Sequence, residues 1–251
     1  MDWSFMFQAL RGQAGGPVRS YGGADAGCQR RPGTVSRHNR RAPAIITLTV
    51  MAAMTFVPVP VLAKTLQLVA FGDSLMAGYK LPAGQDFPAR LEAALRQHGY
   101  DVTISNASVS GDTTSGGLDR LDWSIQDGTD GVLLELGAND MLRGQDPALT
   151  RNNLDTMITR LADRHIAVYL LGMRADPTLG AEFTSRFDAI YPSLAKAHSL
   201  PIYPFFLDGV AGQSRLQLSD GMHPNPEGVA LMVTRVLPGV ETWLKTLQPK
   251  A

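Results

Sequence analysis

From Leu66 onward the chain alternates between short apolar runs and longer stretches in which apolar residues return every three or four positions. Leu66–Phe71, apolar except at Gln67, predicts a buried strand. Asp86 precedes Phe87-Pro88, and Phe87, Leu91, Ala94 and Leu95 share one face of a predicted helix that runs to about His98, where Gly99 stops it. Val102–Ala107 alternates as a second strand. Val109–Thr114 is a loop that enters a short helix with Leu118 and Leu121 as its apolar positions. Gly131–Leu136 predicts a third strand, ending in Gly137-Ala138-Asn139-Asp140.

Asp146-Pro147 pairs a capping residue with a proline suited to a first turn, and the helix it opens carries Leu154, Met157, Ile158 and Leu161 on one face. Ala167–Gly172 is a fourth strand and Ile202-Tyr203 a short fifth one. Between them a helix over about Leu179–Ala197 must bend or split at Pro192. Asn225-Pro226 opens a helix with Val229, Met232, Val233 and Val236 inside; Pro238 is expected to end it, leaving a last amphipathic turn or two to about Leu247. Strands that alternate with helices predict an α/β domain built on a five-stranded parallel sheet covered on both faces.

Charge divides the chain in two. Residues 1–63 hold seven arginines and two aspartates, a net +5, so the zero net charge of the whole leaves residues 64–251 at −5. The body lacks the clustered Lys and Arg of a nucleic-acid surface. Arg37–Arg41 gives way to the uncharged run Ala42–Ala63, closing on Val61-Leu62-Ala63 before Lys64. That is the layout of an export signal with small residues at its cleavage positions. The run of about 20 residues is also long enough to span a bilayer. Pro58 and Pro60 break a helix near its end, so the expectation is a leader over 1–63, cleaved after Ala63, and a periplasmic or secreted domain over 64–251. An uncleaved leader is then the one expected route to a membrane. The sole cysteine, Cys28, lies in the leader, so the body has no disulfide, cysteine metal site or cysteine nucleophile.

The candidate chemistry falls at strand ends. Ser74 follows the first strand in Gly72-Asp73-Ser74, and the carboxyl ends of strands are where open α/β sheets bind ligands. Near the other end, Asp220 stands three residues before His223. That spacing lets a carboxylate hold imidazole Nδ1–H and leaves Nε2 free to take a proton from the Ser74 hydroxyl, itself a poor nucleophile without a base. The Ser74 N–H, the Gly111 N–H and the Asn139 amide are candidate donors to a developing oxyanion. Each feature alone has an ordinary explanation: His223 beside a proline as a surface residue, Asn139-Asp140 as a turn or cap. Their conjunction at successive strand ends carries the case.

Phe71-Gly72-Asp73-Ser74-Leu75, Ser110-Gly111-Asp112, Gly137-Ala138-Asn139-Asp140 and Asp220-Gly221-Met222-His223 resemble, in order and spacing, the four blocks of the SGNH or GDSL hydrolases. Tyr191-Pro192, Pro204-Phe205-Phe206 and Pro224-Asn225 are similar to the bacterial periplasmic branch called thioesterase I, lysophospholipase or arylesterase. The resemblance implies a flavodoxin-like three-layer α/β/α fold and a serine esterase that needs no metal or cofactor. It implies Ser74 as nucleophile, His223 as base, Asp220 as its orienter, and Ser74, Gly111 and Asn139 as the oxyanion hole. Asp73 is expected to shape the turn, and His98, His165 and His198 match no block.

Gly172–Gly180 falls where that branch keeps an acyl-contacting loop, which makes Met173, Ala175, Asp176 and Leu179 candidate substrate contacts. Ala175 and Asp176 stand where a more apolar pair is typical. A charge beside a fatty tail is unfavourable, so short acyl or aryl esters become the expected substrates. Met76, Met141, Leu142 and Met173 are candidates for an apolar groove or for core. The expected partner is a small-molecule ester or thioester, the expected state a monomer. A carbohydrate O-deacetylase and a non-catalytic flavodoxin-like binding module are the rival readings.

Overall fold

A computed structural model describes residues 64–247 of the 251. The leader expected over 1–63 lies outside the described residues. Among those described, no helix is long and apolar enough to cross a membrane.

The elements follow in the order β1 (Leu66–Phe71), α1 (Ser74–Ala77), α2 (Phe87–Gln97), β2 (Val102–Asn106), α3 (Thr114–Ser124), β3 (Gly131–Leu134), α4 (Ala138–Leu142), α5 (Pro147–Asp163), β4 (Ala167–Leu171), α6 (Ala181–Asp188), α7 (Ile190–His198), β5 (Ile202–Tyr203) and α8 (Pro226–Leu247). All strand pairs are parallel, in the order β2-β1-β3-β4-β5. Helices α2 and α8 pack together as one layer, and α3, α5 and α7 pack in series as another. Burial on both faces explains why β1 and β3 read as unbroken apolar runs; Gln67 is the one exposed position of β1.

The chain leaves β1 toward β2 on one side and returns to place β3 on the other. Connections therefore diverge at the carboxyl ends of β1 and β3, and a crevice opens at that switch point. The first Ser74 turn and the Asn139 segment emerge into that crevice, from β1 and β3 respectively.

The helix starts follow their capping residues. Asp86 Oδ1 accepts the Ala89 N–H at 3.0 Å, and Asp146 Oδ1 accepts the Ala148 N–H at 3.0 Å, each just ahead of a proline in the first turn. Pro192 splits its helix as expected, but the break comes at Ala189, so the proline sits in the first turn of α7, where an N–H would have no helical partner.

Pro238 does not end its helix; α8 runs through it from Pro226 to Leu247. A mid-helix proline costs about 3 kcal/mol. The buried stripe of Val229, Met232, Val233 and Val236 continues through Val240, Trp243 and Leu244 on the same face, and burying three more large side chains outweighs that cost. The third and fourth strands stop one or two residues short of the sequence expectation, and Ala138–Leu142 forms a short helix where a loop was expected.

Candidate active site

Asp73 caps α1, its Oδ1 accepting the Leu75 N–H at 3.0 Å. The chain thus turns sharply from β1 into a helix whose first residue is Ser74. Across the crevice the Asp220–His223 loop is closed on itself. Asp220 Oδ1 accepts the N–H groups of Met222 and His223, each at 3.0 Å, and Leu218 N–H donates to the His223 carbonyl at 2.8 Å. Those two N–H groups, with the His223 side chain after them, hold the Asp220 carboxyl well below the usual carboxylate range.

The other carboxylate oxygen, Oδ2, lies 2.9 Å from His223 Nδ1, and His223 Nε2 lies 3.0 Å from Ser74 Oγ. Both contacts are hydrogen bonds. The Tyr79 ring packs on the imidazole with centroids 4.5 Å apart. Imidazole can then accept the hydroxyl proton on one nitrogen while the other stays bonded to a carboxylate.

Asn139 and Gly111, on the facing side, are equally tied down. Asn139, in the first turn of α4, donates its amide Nδ2 to Asp73 Oδ2 at 2.9 Å. An amide nitrogen carries two hydrogens, so one remains for a ligand. Gly111 sits at φ +84°, a conformation that favours glycine, and Arg143 holds its carbonyl at 2.8 Å. Among the described residues neither the Ser74 nor the Gly111 N–H donates to another protein group.

A model of the GDSL-like lipase/acylhydrolase family matches residues 70–231. An arylesterase from Vibrio mimicus is 43% identical over 162 residues, 64% of this chain and 81% of that protein. The esterase TesA of Pseudomonas aeruginosa is 37% identical over 182 residues, covering 72% and 85%. Among solved structures, the psychrotrophic esterase EstA from Pseudoalteromonas, inhibited by monoethylphosphonate, superposes with a TM-score of 0.68 at 28% identity over 71% of this chain and 98% of that one. This chain belongs to the GDSL-like lipase/acylhydrolase family.

A cleft of ≈ 350 Å³ opens above Ser74 and His223, with Gly111 and Asn139 on its polar side and Tyr79, Met141, Leu142, Met173, Leu207 and Met222 as its apolar walls. Met76 is instead fully buried core. Of the four loop residues named from sequence, Met173 lines the cleft and the others do not. Ala175 is buried and its N–H donates to Asp188 at 2.7 Å. Asp176 caps a short turn over Pro177–Leu179, its Oδ1 accepting from Thr178 Oγ1 (2.7 Å) and N–H (2.8 Å), which hold the carboxyl below its usual range. That turn carries Leu179 to a separate shallow depression with Ala181 and Phe183. Asp176 therefore turns its carboxyl to Thr178, while its N–H lies 3.3 Å from the Sδ of Met141.

Two buried ionisable residues behind Ser74, Arg120 and Glu135, are not singled out by the sequence pattern. Arg120 of α3 donates Nε to Asp112 at 2.7 Å, Nη2 to the Gly72 carbonyl at 3.1 Å and Nη1 to the Ala107 carbonyl, with its guanidinium 3.9 Å from the Phe71 ring centroid. One side chain thus ties the ends of β1 and β2 to the loop bearing Gly111. Breaking a buried pair leaves its partner uncompensated. Arg120→Ala is expected to lose about 3–5 kcal/mol of unfolding free energy, read by urea denaturation; a loss below about 1 kcal/mol, the value of a surface pair, would refute this role.

The second is Glu135, fully buried just after β3. Its Oε2 accepts the Asp73 N–H at 3.2 Å. A Cβ on Gly72 would stand 2.7 Å from both that oxygen and the Glu135 carbonyl, so the glycine ahead of Asp73 is a matter of space. A charged residue inside Val132-Leu133-Leu134-Glu135-Leu136 was the available sequence signal. Among the described residues no group of three or more His, Cys, Asp or Glu side chains is arranged to hold a metal ion.

Proposed function

We propose that this protein is a serine esterase that cleaves carboxylic esters and thioesters through an acyl-enzyme on Ser74. The observation that carries the reading is the 3.0 Å contact between Ser74 Oγ and His223 Nε2, with Asp220 on the opposite ring nitrogen. Ser74 Oγ attacks the carbonyl carbon as its proton passes to Nε2. The Ser74 and Gly111 N–H groups and the Asn139 amide receive the charge on the oxygen. The tetrahedral adduct collapses, the imidazolium gives its proton to the departing alcohol or thiol, and the acyl group remains on Ser74. Water then adds to that ester with His223 as base, and collapse releases the acid and returns the proton to Ser74. Asp220 stays ionised throughout and keeps Nδ1–H directed.

The apolar walls of the cleft support aryl esters, acyl thioesters and lysophospholipids as substrate classes. A sugar substrate would want more side-chain donors than Ser74, Tyr79, Ser110, Asn139 and His223 provide along the cleft, so the O-deacetylase reading is not favoured. A pure binding module has no use for a hydroxyl bonded to an imidazole–carboxylate pair. We also read the basic segment and uncharged run ahead of Lys64 as an export signal that delivers the domain of residues 64–251 to the periplasm or the medium.

Incubation with a fluorophosphonate, followed by peptide mass spectrometry, tests the reading. One adduct per chain at Ser74 and parallel loss of p-nitrophenyl acetate turnover are expected. Turnover that survives complete labelling at Ser74 would overturn it.

A further inference from the structure

Glu135 is fully buried, and the reaction above uses no atom of it. Its Oε1 has no hydrogen-bond partner among the described residues, and such orphans are rare in folded proteins. The titratable groups that face it are the Asp73 carboxyl, from the turn after β1, and the Tyr191 phenol of α7, which donates to the Leu136 carbonyl at 2.9 Å. Neither is a cation. An ionised Glu135 would put a second negative charge beside Asp73 in an apolar site with one oxygen unsatisfied, which is strongly unfavourable. Burial, and then the Asp73 charge, push the Glu135 carboxyl well above its usual range.

Asp73 is better provided. Burial raises it only to about 6, because the Leu75 N–H, the hydrogen bond with Glu135 and the Asn139 amide all favour its ionised form. Asp73 receives two N–H donors and Glu135 one, so the shared proton is favoured on Glu135 and the charge on Asp73.

We propose that Glu135 is a positioning residue that works as a neutral carboxylic acid, donating its O–H to Asp73 so that Asp73 in turn fixes the Asn139 amide toward the substrate oxygen. The chain of contacts is short. Glu135 sits against the Gly72 backbone, where no Cβ fits, and its Oε2 accepts the Asp73 N–H at 3.2 Å, which sets the Glu135 carboxyl beside Asp73. Asp73 spends one oxygen on Leu75 N–H, which sets the helix bearing Ser74, and the other on Asn139 Nδ2. Without a donor behind it, Asp73 becomes a buried carboxylate short of one bond, and the Asn139 amide loses its fixed acceptor. Glu135 touches neither substrate nor reacting atoms.

The inference rests on the esterase reading, and its test separates the two. Infrared difference spectroscopy on ¹³C-glutamate-labelled protein at neutral pH is expected to show a protonated-carboxyl C=O stretch that vanishes in Glu135→Gln. In Glu135→Gln the amide donates to Asp73 as the acid did, so kcat for p-nitrophenyl acetate stays within about threefold of the parent. Glu135→Leu, which has no donor, is expected to lower kcat about ten- to a hundredfold with KM within about twofold, since one oxyanion donor is worth about 10²–10³. Absence of the infrared band, a Glu135→Gln as slow as Glu135→Leu, or a Glu135→Leu at the parental kcat would each overturn the proposal. Where Glu135→Leu does not fold, the band and the Glu135→Gln rate decide. Parental turnover no higher than that of Ser74→Ala would instead refute the esterase reading, while the band still reports on Glu135.

Discussion

Ser74→Ala is expected to lower kcat for p-nitrophenyl acetate by roughly 10⁴- to 10⁶-fold while KM changes little. Removal of the hydroxyl eliminates the acyl-enzyme path and leaves the oxyanion donors and the cleft intact, so binding persists and a residual rate above water remains. His223→Ala is expected to fall by a similar factor, because a serine without its base is a poor nucleophile at neutral pH. The informative measurement is the double variant. Two residues acting in one step lose no more together than either alone, so a double variant slower by the product of the single effects would mean that they act independently. Retention of most of the parental rate by Ser74→Ala would remove Ser74 from the reaction altogether.

The second large effect is expected from Asp220→Asn, a loss of roughly 10²–10⁴ in kcat. The argument turns on which hydrogen bonds the amide preserves. An asparagine Oδ1 can still accept the Met222 and His223 N–H groups that hold the loop, so the fold and the thermal midpoint should stay near the parental values. Its Nδ2, however, offers a donor to His223 Nδ1 where the carboxylate offers an acceptor. Imidazole then favours the tautomer with its hydrogen on Nε2 and cannot take the Ser74 proton. The lower end of the range is included because the Asp220 side chain is 31% exposed, and solvent screens part of its attraction for the imidazolium. Tautomer control does not depend on that attraction. A kcat within about threefold of the parent, with an unchanged midpoint, would show that Asp220 does not orient the base.

The loop from Gly172 to Gly180 is arranged by contacts that its own sequence shows only in part. Asp176 caps the turn at Pro177 and its carboxyl bonds Thr178. The same turn takes Leu179 out of the cleft, and walls from other segments, Leu207 and Met222 among them, replace it. No periodicity relates those positions.

What the amino-acid sequence determines here is whatever depends on neighbours within a turn or two. The alternation of strands and helices, the caps at Asp86 and Asp146, and the Asp220–His223 pairing three residues apart all follow from local spacing and local hydrogen bonds. The tertiary structure alone decides matters that join distant segments. It brings Ser74 within 3.0 Å of an imidazole 149 residues away, carries α8 through Pro238, and buries Arg120 and Glu135 behind the site. Those outcomes depend on how the sheet orders its strands and on which charges find partners once water is excluded. Neither quantity is a property of any short stretch of chain.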